Sequence, residues 1–166
     1  MTSVFALFGK SCVGKSEIAD RLAQRLYLPV RHCGEIVKDR ASQLGLSTSN
    51  LPAAEHTEID SATRRIVADC DGRLAVEGTF LNIVLRGLPN VTFVHLTCED
   101  EERVRRFVSR HSDRSGDLHL RDEADDLMRR GLYGETQETS ESALHIDTTR
   151  FTADEAASLI IRSCET

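Results

Sequence analysis

VFALFGKSCVGKS, residues 4–16, joins a run of apolar residues to a loop bounded by glycines. The segment from Ser3 to Phe8 is short, rich in β-formers and ended by Gly9, which predicts a buried strand. From Lys15 onward, apolar residues recur at helical spacing. They are Ile18, Leu22 and Leu26. This spacing predicts an amphipathic helix, and a strand, a glycine-bounded loop and a helix form the first unit of an α/β fold.

Residues 9–16 match the pattern G-x-x-x-x-G-K-[ST] of a P-loop, and they lie between a predicted strand and a predicted helix, where that pattern acts. Glycines let successive backbone N–H groups converge on phosphate oxygens, and the helix N-terminus adds partial positive charge. Lys15 is predicted to reach the β- and γ-phosphates of ATP, and the Ser16 hydroxyl to bind Mg²⁺. The predicted nucleotide-binding residues are Gly9, Ser11, Cys12, Val13, Gly14, Lys15, Ser16 and Glu17.

Strand and helix patterns alternate along the rest of the chain. Further strands are predicted at Pro29–Cys33, Leu74–Glu77, Val91–Leu96 and Ala143–Ile146. Helices are predicted at Gly34–Gly45, Glu55–Asp69, Phe80–Arg86, Glu99–Arg110, Asp122–Arg130 and Ala153–Ser163. Ser112–His119 is polar and contains Gly116, which predicts a mobile loop. The alternation predicts a parallel sheet with right-handed crossovers, in a three-layer α/β domain covering residues 1–166.

The composition describes an acidic, well-solvated chain. Of its 166 residues, 40% are hydrophobic and 29% are charged, with a formal net charge of −6. One core is therefore expected, in a monomer or homodimer, and nucleic acid is disfavoured as a partner because it requires a basic face. The five cysteines are scattered without a C-x-x-C pair, which predicts reduced thiols. No segment resembles a leader or reaches bilayer length, so a cytoplasmic protein without a membrane partner is expected.

Charged residues outside the P-loop supply further candidates. Glu77 ends a predicted strand at the sheet edge that carries the P-loop, where a carboxylate can hold Mg²⁺ through water or act as a general base. Arg103, Arg106 and Arg110 are spaced so that they share one flank of their helix, beside its predicted core face of Val104, Phe107 and Val108. Arg106 and Arg110, together with Lys15 and Glu77, are the predicted catalytic residues, because arginines of a closing lid can neutralise a transferred phosphoryl group. The six histidines show no metal-like spacing and receive no predicted role.

From Val4 to Ile161 the chain resembles the nucleoside monophosphate kinase-like group, and within it the short cytidylate kinases of the archaeal type. The segments that carry the resemblance besides the P-loop are Gly34-Glu35-Ile36-Val37-Lys38, Glu58-Ile59-Asp60, Val76-Glu77-Gly78 and His145-Ile146-Asp147-Thr148-Thr149. The resemblance implies a five-stranded parallel sheet in the order 2-3-1-4-5, with an acceptor-binding region at residues 34–70 and a lid at residues 110–122. The predicted substrate-binding residues are Gly34, Lys38, Asp60, Gly78 and Arg86.

Two positions depart from this resemblance. Thr79 and Lys38 stand where the group usually has arginines that grip the acceptor's phosphate, and a lysine cannot reproduce the two parallel hydrogen bonds of a guanidinium. The predicted reaction is transfer of the γ-phosphoryl group of ATP to a small acceptor, first of all a nucleoside monophosphate such as CMP or dCMP. Two alternatives stay open. One is a kinase of small-molecule hydroxyl groups, similar to shikimate kinases or antibiotic phosphotransferases, and the other is a nucleotide-binding regulator without turnover.

Overall fold

The computed structural model of the protein describes residues 4–111, 115–135 and 143–164. The strands lie at Val4–Phe8 (β1), Val30–His32 (β2), Leu74–Glu77 (β3), Val91–Thr97 (β4) and Leu144–Asp147 (β5). The helices lie at Lys15–Leu26 (α1), Cys33–Gln43 (α2), Ala53–Ala68 (α3), Leu81–Val84 (α4), Asp100–His111 (α5), Ser115–Tyr133 (α6) and Ala153–Cys164 (α7). A short 3₁₀ turn at Thr48–Asn50 links α2 to α3.

The five strands form one parallel sheet in the order β2-β3-β1-β4-β5. This is the P-loop kinase fold, and the predicted strand order is confirmed. Glu77 of β3 pairs in register with Leu7 of β1 and with His32 of β2. The carboxyl ends of these three strands therefore lie side by side at the edge of the sheet from which the P-loop leaves.

Both faces of the central strand β1 are covered, and side chains alternate between them along the strand. Phe5 and Leu7 pack with apolar residues of α1 and α7, whereas Val4, Ala6 and Phe8 pack with those of α3 and α4. All of β1 is buried. A strand that is buried on both sides reads as a continuous apolar run, which is why the sequence pattern identified β1 correctly.

Two predictions about α5 and α6 are wrong. The predicted loop Ser112–His119 is helical from Ser115 onward, where α6 begins. Residues 112–114 lie outside the described residues. In α5 the predicted core face includes Val104, yet Val104 is 37% exposed while Arg103 is 2% exposed. Arg103 occupies the inward position because its charge is fully paired there, as described below. Of the predicted apolar face, Phe107 is buried.

Candidate active site

The P-loop connects β1 to α1 through backbone conformations that few side chains tolerate. Gly9, Cys12 and Gly14 have φ angles of 144°, 65° and 95°. At Gly9 a Cβ atom would also lie 2.2 Å from the carbonyl oxygen of Leu96 in β4. Glycine is therefore required at this position by conformation and by contact with the neighbouring strand.

Lys15 opens α1 and turns its side chain back onto the loop. Its Nζ donates hydrogen bonds to the carbonyl oxygens of Gly9, at 2.8 Å, and Lys10, at 2.7 Å. Burial lowers the pKa of the Lys15 ammonium, and the nearby carboxylates of Glu77 and Asp125 act in the opposite direction. Because a phosphate oxygen is a stronger hydrogen-bond acceptor than a carbonyl oxygen, the Lys15 ammonium lies where it can bind a polyphosphate.

Ser16 and Glu77 lie together at the sheet edge that carries the P-loop. The Ser16 hydroxyl donates to Oε1 of Glu77 at 3.2 Å. The Glu77 side chain is 5% exposed, because it ends β3 between two neighbouring strands. Hydroxyl and carboxylate oxygens are the donors that Mg²⁺ prefers, so this pair fits that ion.

His32, which was assigned no role from the sequence, contacts the same carboxylate. Its Nδ1 lies 3.2 Å from Oε1 of Glu77, and its Nε2 lies 3.2 Å from Oδ1 of Asp20 on α1. The imidazole thus spans from the first helix to the carboxylate beside Ser16. The in-register pairing of β2 with β3 places His32 directly across from Glu77.

Arg103 ties the P-loop to α6. Its Nε donates to the Ser11 carbonyl oxygen at 3.0 Å, and its two terminal nitrogens donate to the carboxylate of Asp122 at 2.9 and 2.7 Å. Asp100 accepts a further hydrogen bond at 2.9 Å. The buried guanidinium is therefore balanced by two carboxylates and a carbonyl, which is the condition for burying such a charge.

The two predicted lid arginines occupy different environments. Arg106 lies against the P-loop: it donates to the carbonyl oxygen of Thr148 at 2.8 Å and to that residue's hydroxyl at 3.1 Å. The Thr148 hydroxyl in turn donates to the carbonyl oxygen of Val13 at 2.8 Å. Arg110 lies on the exposed surface of the last turn of α5. Both remain predicted catalytic residues, and only Arg106 is next to the nucleotide loop.

Helix α6 brings Arg121 and Asp125 close to Lys15, since the three side chains interact electrostatically. Burial raises the pKa of Asp125 to about 6, against the opposing influence of Arg121 and Lys15. The segment predicted as the second half of a lid, residues 115–122, is thus the beginning of a helix packed over the P-loop. Positive charge at this place can assist a migrating phosphoryl group.

An aromatic and acidic cluster lies between α3 and α6. The Tyr133 hydroxyl donates to Asp60, and the Tyr133 and Phe80 rings are 5.2 Å apart between centroids. The buried Arg129 guanidinium lies 5.7 Å from the Phe80 centroid and donates to Asp126 at 2.7 Å. Burial raises the pKa of Asp60 and of Tyr133. We call Asp60, Phe80, Arg129 and Tyr133 the α3–α6 cluster.

One buried polar atom next to this cluster lacks a partner. His56 precedes Asp60 by one helical turn on α3, and its Nε2 is the orphaned buried side-chain atom within the described part of the chain. Burial lowers the pKa of His56, while Asp60 raises it. An unpaired buried nitrogen is costly, so it marks a place where a further hydrogen-bond partner would be stabilised.

The remaining predicted substrate-binding residues differ in how deeply they are buried. Gly78 follows Glu77 and is closely packed, since a Cβ atom there would lie 3.1 Å from the Cβ of Cys33. Gly34 and Lys38 are exposed on α2. Arg86, also exposed, forms an ion pair with Glu135 at 2.6 Å. Only Gly78 and Asp60 are therefore buried or half-buried next to the rest of the site.

Several residues of this site were not predicted from the sequence, among them His32, Tyr133 and Arg103 as a P-loop contact. His32 was recognisable only from strand pairing, since nothing in its local pattern joins it to Glu77. Arg103 did belong to the predicted arginine series. It precedes the apolar Phe107 by four residues, and residues at this spacing share one face of a helix, which indicated that Arg103 faces inward. Tyr133 contacts Asp60 across 73 positions of sequence, which local patterns cannot reveal.

The fold and the P-loop geometry define a P-loop protein of the kinase fold. The chain belongs to the AAA_18 family, described as an AAA domain, whose family model matches residues 6–129. A comparison with curated proteins gives no significant match. Among the described residues, no helix has the length and apolar character needed to cross a membrane.

Solved structures with the same fold cover nearly the whole chain. A gluconokinase from Sinorhizobium meliloti 1021 is 17% identical, with a TM-score of 0.68 over 99% of this chain and 94% of that one. A shikimate kinase from Acinetobacter baumannii, in complex with shikimate, is 14% identical, with a TM-score of 0.67 over 99% and 94%. A sugar kinase from Janibacter sp. HTCC2649 is 20% identical, with a TM-score of 0.66 over 99% and 95%. These similarities establish the fold.

Proposed function

We propose that the protein is an ATP- and Mg²⁺-dependent phosphotransferase that transfers the γ-phosphoryl group to a hydroxyl group of a small molecule. The observation that carries the proposal is the contact between Ser16 and Glu77 at 3.2 Å, beside the half-buried side chain of Lys15. A hydroxyl, a carboxylate and a lysine at the end of a parallel sheet are the groups that phosphoryl transfer requires.

The residues of the site have distinct tasks, and Glu77 has two. The backbone N–H groups of the P-loop and Lys15 bind the triphosphate, and Arg106 holds the loop in place through Thr148. Ser16 and Glu77 are the residues that would hold Mg²⁺, an ion that neutralises charge on the β- and γ-phosphates. Glu77 also lies where a carboxylate can accept the proton of an attacking hydroxyl.

A hydroxyl acceptor is favoured over a nucleoside monophosphate because arginines on the acceptor side are already engaged. Arg40 forms an ion pair with Glu55, and Arg64 donates to the carbonyl oxygens of Val84 and Arg86 at 2.8 and 3.0 Å. The predicted Arg86 is paired with Glu135. A phosphate monoester is gripped by guanidinium groups that are free to form parallel hydrogen bonds, and using these would break existing contacts.

The names of several solved structures with this fold agree with such an acceptor, since they are a gluconokinase, a shikimate kinase and a sugar kinase. In this protein the α3–α6 cluster supplies the matching groups. An aromatic ring and a carboxylate hydrogen-bonded to a phenol suit a polyhydroxylated compound, which offers both apolar C–H surface and donors. His56 Nε2 supplies a further unpaired polar atom nearby.

The proposal is tested by incubating the purified protein with ATP, Mg²⁺ and two acceptor panels, one of sugars, sugar acids and cyclic hydroxy acids, the other of nucleoside monophosphates. We expect ADP and a phosphate ester with the first panel. Conversion of an added monophosphate, such as CMP, into its own diphosphate alongside ADP would instead support the cytidylate kinase-like prediction. ATP binding without transfer to either panel would support the non-catalytic regulator.

Two lysines of the same loop provide a matched control. Lys15→Ala should lower turnover by about a hundredfold or more, because the triphosphate loses its main cation. Lys10→Ala should leave turnover nearly unchanged, since only the Lys10 backbone carbonyl contacts Lys15. A Lys15→Ala enzyme with wild-type turnover would exclude the mechanism.

A further inference from the structure

Strand pairing places an imidazole directly beside the carboxylate of the proposed metal site. His32 ends β2 and Glu77 ends β3, and the two residues are partners in the parallel register. Register partners in a parallel pair project from the same face of the sheet. Their contact is thus a consequence of the fold and does not depend on a flexible loop.

Each nitrogen atom of the imidazole faces a carboxylate oxygen. Nδ1 lies 3.2 Å from Oε1 of Glu77, and Nε2 lies 3.2 Å from Oδ1 of Asp20. Asp20 belongs to α1, the helix that begins with Lys15 and Ser16. The ring therefore connects the helix that presents the P-loop residues to the strand that presents Glu77.

Glu77 Oε1 is the atom that both neighbours share. It accepts the Ser16 hydroxyl at 3.2 Å and faces His32 Nδ1 at the same distance. The Glu77 side chain is 5% exposed and that of His32 is 21% exposed. A carboxylate contacted on one oxygen from two sides has a fixed rotamer, and its other oxygen is left in a defined direction.

We propose that His32 is a positioning residue, which fixes the Glu77 carboxylate so that Ser16 and Glu77 form a ready-made Mg²⁺ site, with Asp20 fixing the ring from the other side. This inference rests on the proposed function, since it concerns the same site. Hydrogen-bonded partners of metal-binding groups orient these groups and raise the affinity for the metal.

Calorimetry separates a positioning role from a structural one. His32→Leu should weaken the binding of ATP in the presence of Mg²⁺ by about tenfold, whereas the affinity for ATP in EDTA should change by less than about twofold. His32→Gln should recover part of the loss, because its amide can donate to Glu77. His119→Gln is the control, since His119 has an 80% exposed side chain on α6.

Asp20→Ala gives a second test that leaves the core intact, because the Asp20 side chain is 58% exposed. A smaller loss is expected in the same direction as for His32→Leu. If His32→Leu does not fold, the test rests on His32→Gln and Asp20→Ala. Wild-type affinity for Mg²⁺-ATP in both of these variants, or an equal loss with and without Mg²⁺, would overturn the inference.

The wild-type protein distinguishes this failure from that of the proposed function. If the wild-type chain binds no ATP with or without Mg²⁺, the proposed function itself fails. If it binds Mg²⁺-ATP and the His32 variants bind it equally well, only the role of His32 is wrong. The Mg²⁺ concentration that half-saturates turnover should shift in parallel with the calorimetric affinity.

Discussion

Arg103 of α5 donates two hydrogen bonds to the carboxylate of Asp122 on α6, at 2.9 and 2.7 Å, while its Nε donates to the backbone of the P-loop at Ser11. The Arg103 side chain is 3% exposed and that of Asp122 is 20% exposed. Such a pair stabilises a structure only when both partners are present, because either one alone is a buried charge without compensation. This ion pair therefore helps to hold α6 beside the P-loop.

Replacing Arg103 should consequently destabilise the fold. Arg103→Met should lower the free energy of unfolding by about 3 kcal/mol, because Asp122 loses its partner and the Ser11 carbonyl loses a donor. Arg105→Met on the same helix is the matched control. The Arg105 side chain is 78% exposed and pairs with Glu102, so its loss should cost less than about 1 kcal/mol. If urea titrations gave the same loss of unfolding free energy for Arg103→Met and Arg105→Met, the buried ion pair would stabilise the fold no more than the exposed one.

Gly9 should tolerate no side chain. In Gly9→Ala the new Cβ would meet the Leu96 carbonyl oxygen at 2.2 Å, so β1 and β4 would have to separate. We expect a loss of about 3 kcal/mol or more in the free energy of unfolding, together with weaker ATP binding. Gly72→Ala should be close to neutral, because no atom lies within 4 Å of its Cβ position. A stable Gly9→Ala protein would contradict the P-loop geometry described here.

The fold could be predicted from the sequence because its central elements have regular patterns. The buried run of β1, the P-loop and the stripe of α1 are local signals, and β3 was predicted with its observed bounds, Leu74–Glu77. The errors concern residues whose environment is set by distant partners. Val104 was expected to face the core, yet Arg103 lies there because Asp122 and Ser11 satisfy its charge.

The residues of the site likewise fall into two groups, those with a local sequence signal and those whose place is set by distant partners. Lys15 and Ser16 follow from a motif, and Glu77 follows from its place at a strand end, so a single sequence is sufficient for them. His32 meets Glu77 across the sheet, and Tyr133 meets Asp60 between two helices. Hydrophobic periodicity does not report such contacts, because it identifies which face of an element is buried and not which residues meet there.

His95 should make the protein less stable in acid. Its ring is stacked on Phe8 at 4.7 Å, and its Nδ1 lies 3.3 Å from Nδ1 of His145. Burial, with a smaller contribution from His145, lowers the pKa of His95 from 6.5 to about 4. In the unfolded chain the His95 imidazole is protonated near pH 6.5, whereas in the folded protein it stays neutral until about pH 4. The free energy of unfolding therefore decreases as the pH falls from 6.5 toward 4.

His95→Phe should reduce that loss by roughly 2 kcal/mol between pH 7 and pH 4.5, measured as the change in the free energy of unfolding. The stacking on Phe8 is retained in this variant. His119→Phe is the control, because His119 lies on the surface of α6. Identical pH profiles for wild type and His95→Phe would show that the buried imidazole does not govern acid stability.

Asp125 should oppose both stability and nucleotide binding at neutral pH. Burial raises its pKa from 3.8 to about 6, so the carboxylate is neutral in acid and ionised at pH 8. For an acid with a raised pKa, the stabilising contribution is complete below pH 3.8 and is lost as the pH rises through about 6. At pH 8 the molecule therefore holds an unfavourable buried charge close to Lys15, the residue that is expected to bind the triphosphate.

Asp125→Asn should remove this cost. We expect a gain of up to about 3 kcal/mol in the free energy of unfolding at pH 8 and little change at pH 3, because the wild-type carboxyl is then neutral in both the folded and the unfolded protein. ATP should bind roughly threefold more tightly at pH 8, since one negative charge near the triphosphate is gone. Asp117→Asn on the exposed face of the same helix should have neither effect. If both variants behave alike, a general reduction of negative charge explains the result. If Asp125→Asn weakens ATP binding, Asp125 positions Lys15 for the nucleotide and does not compete with the nucleotide for it.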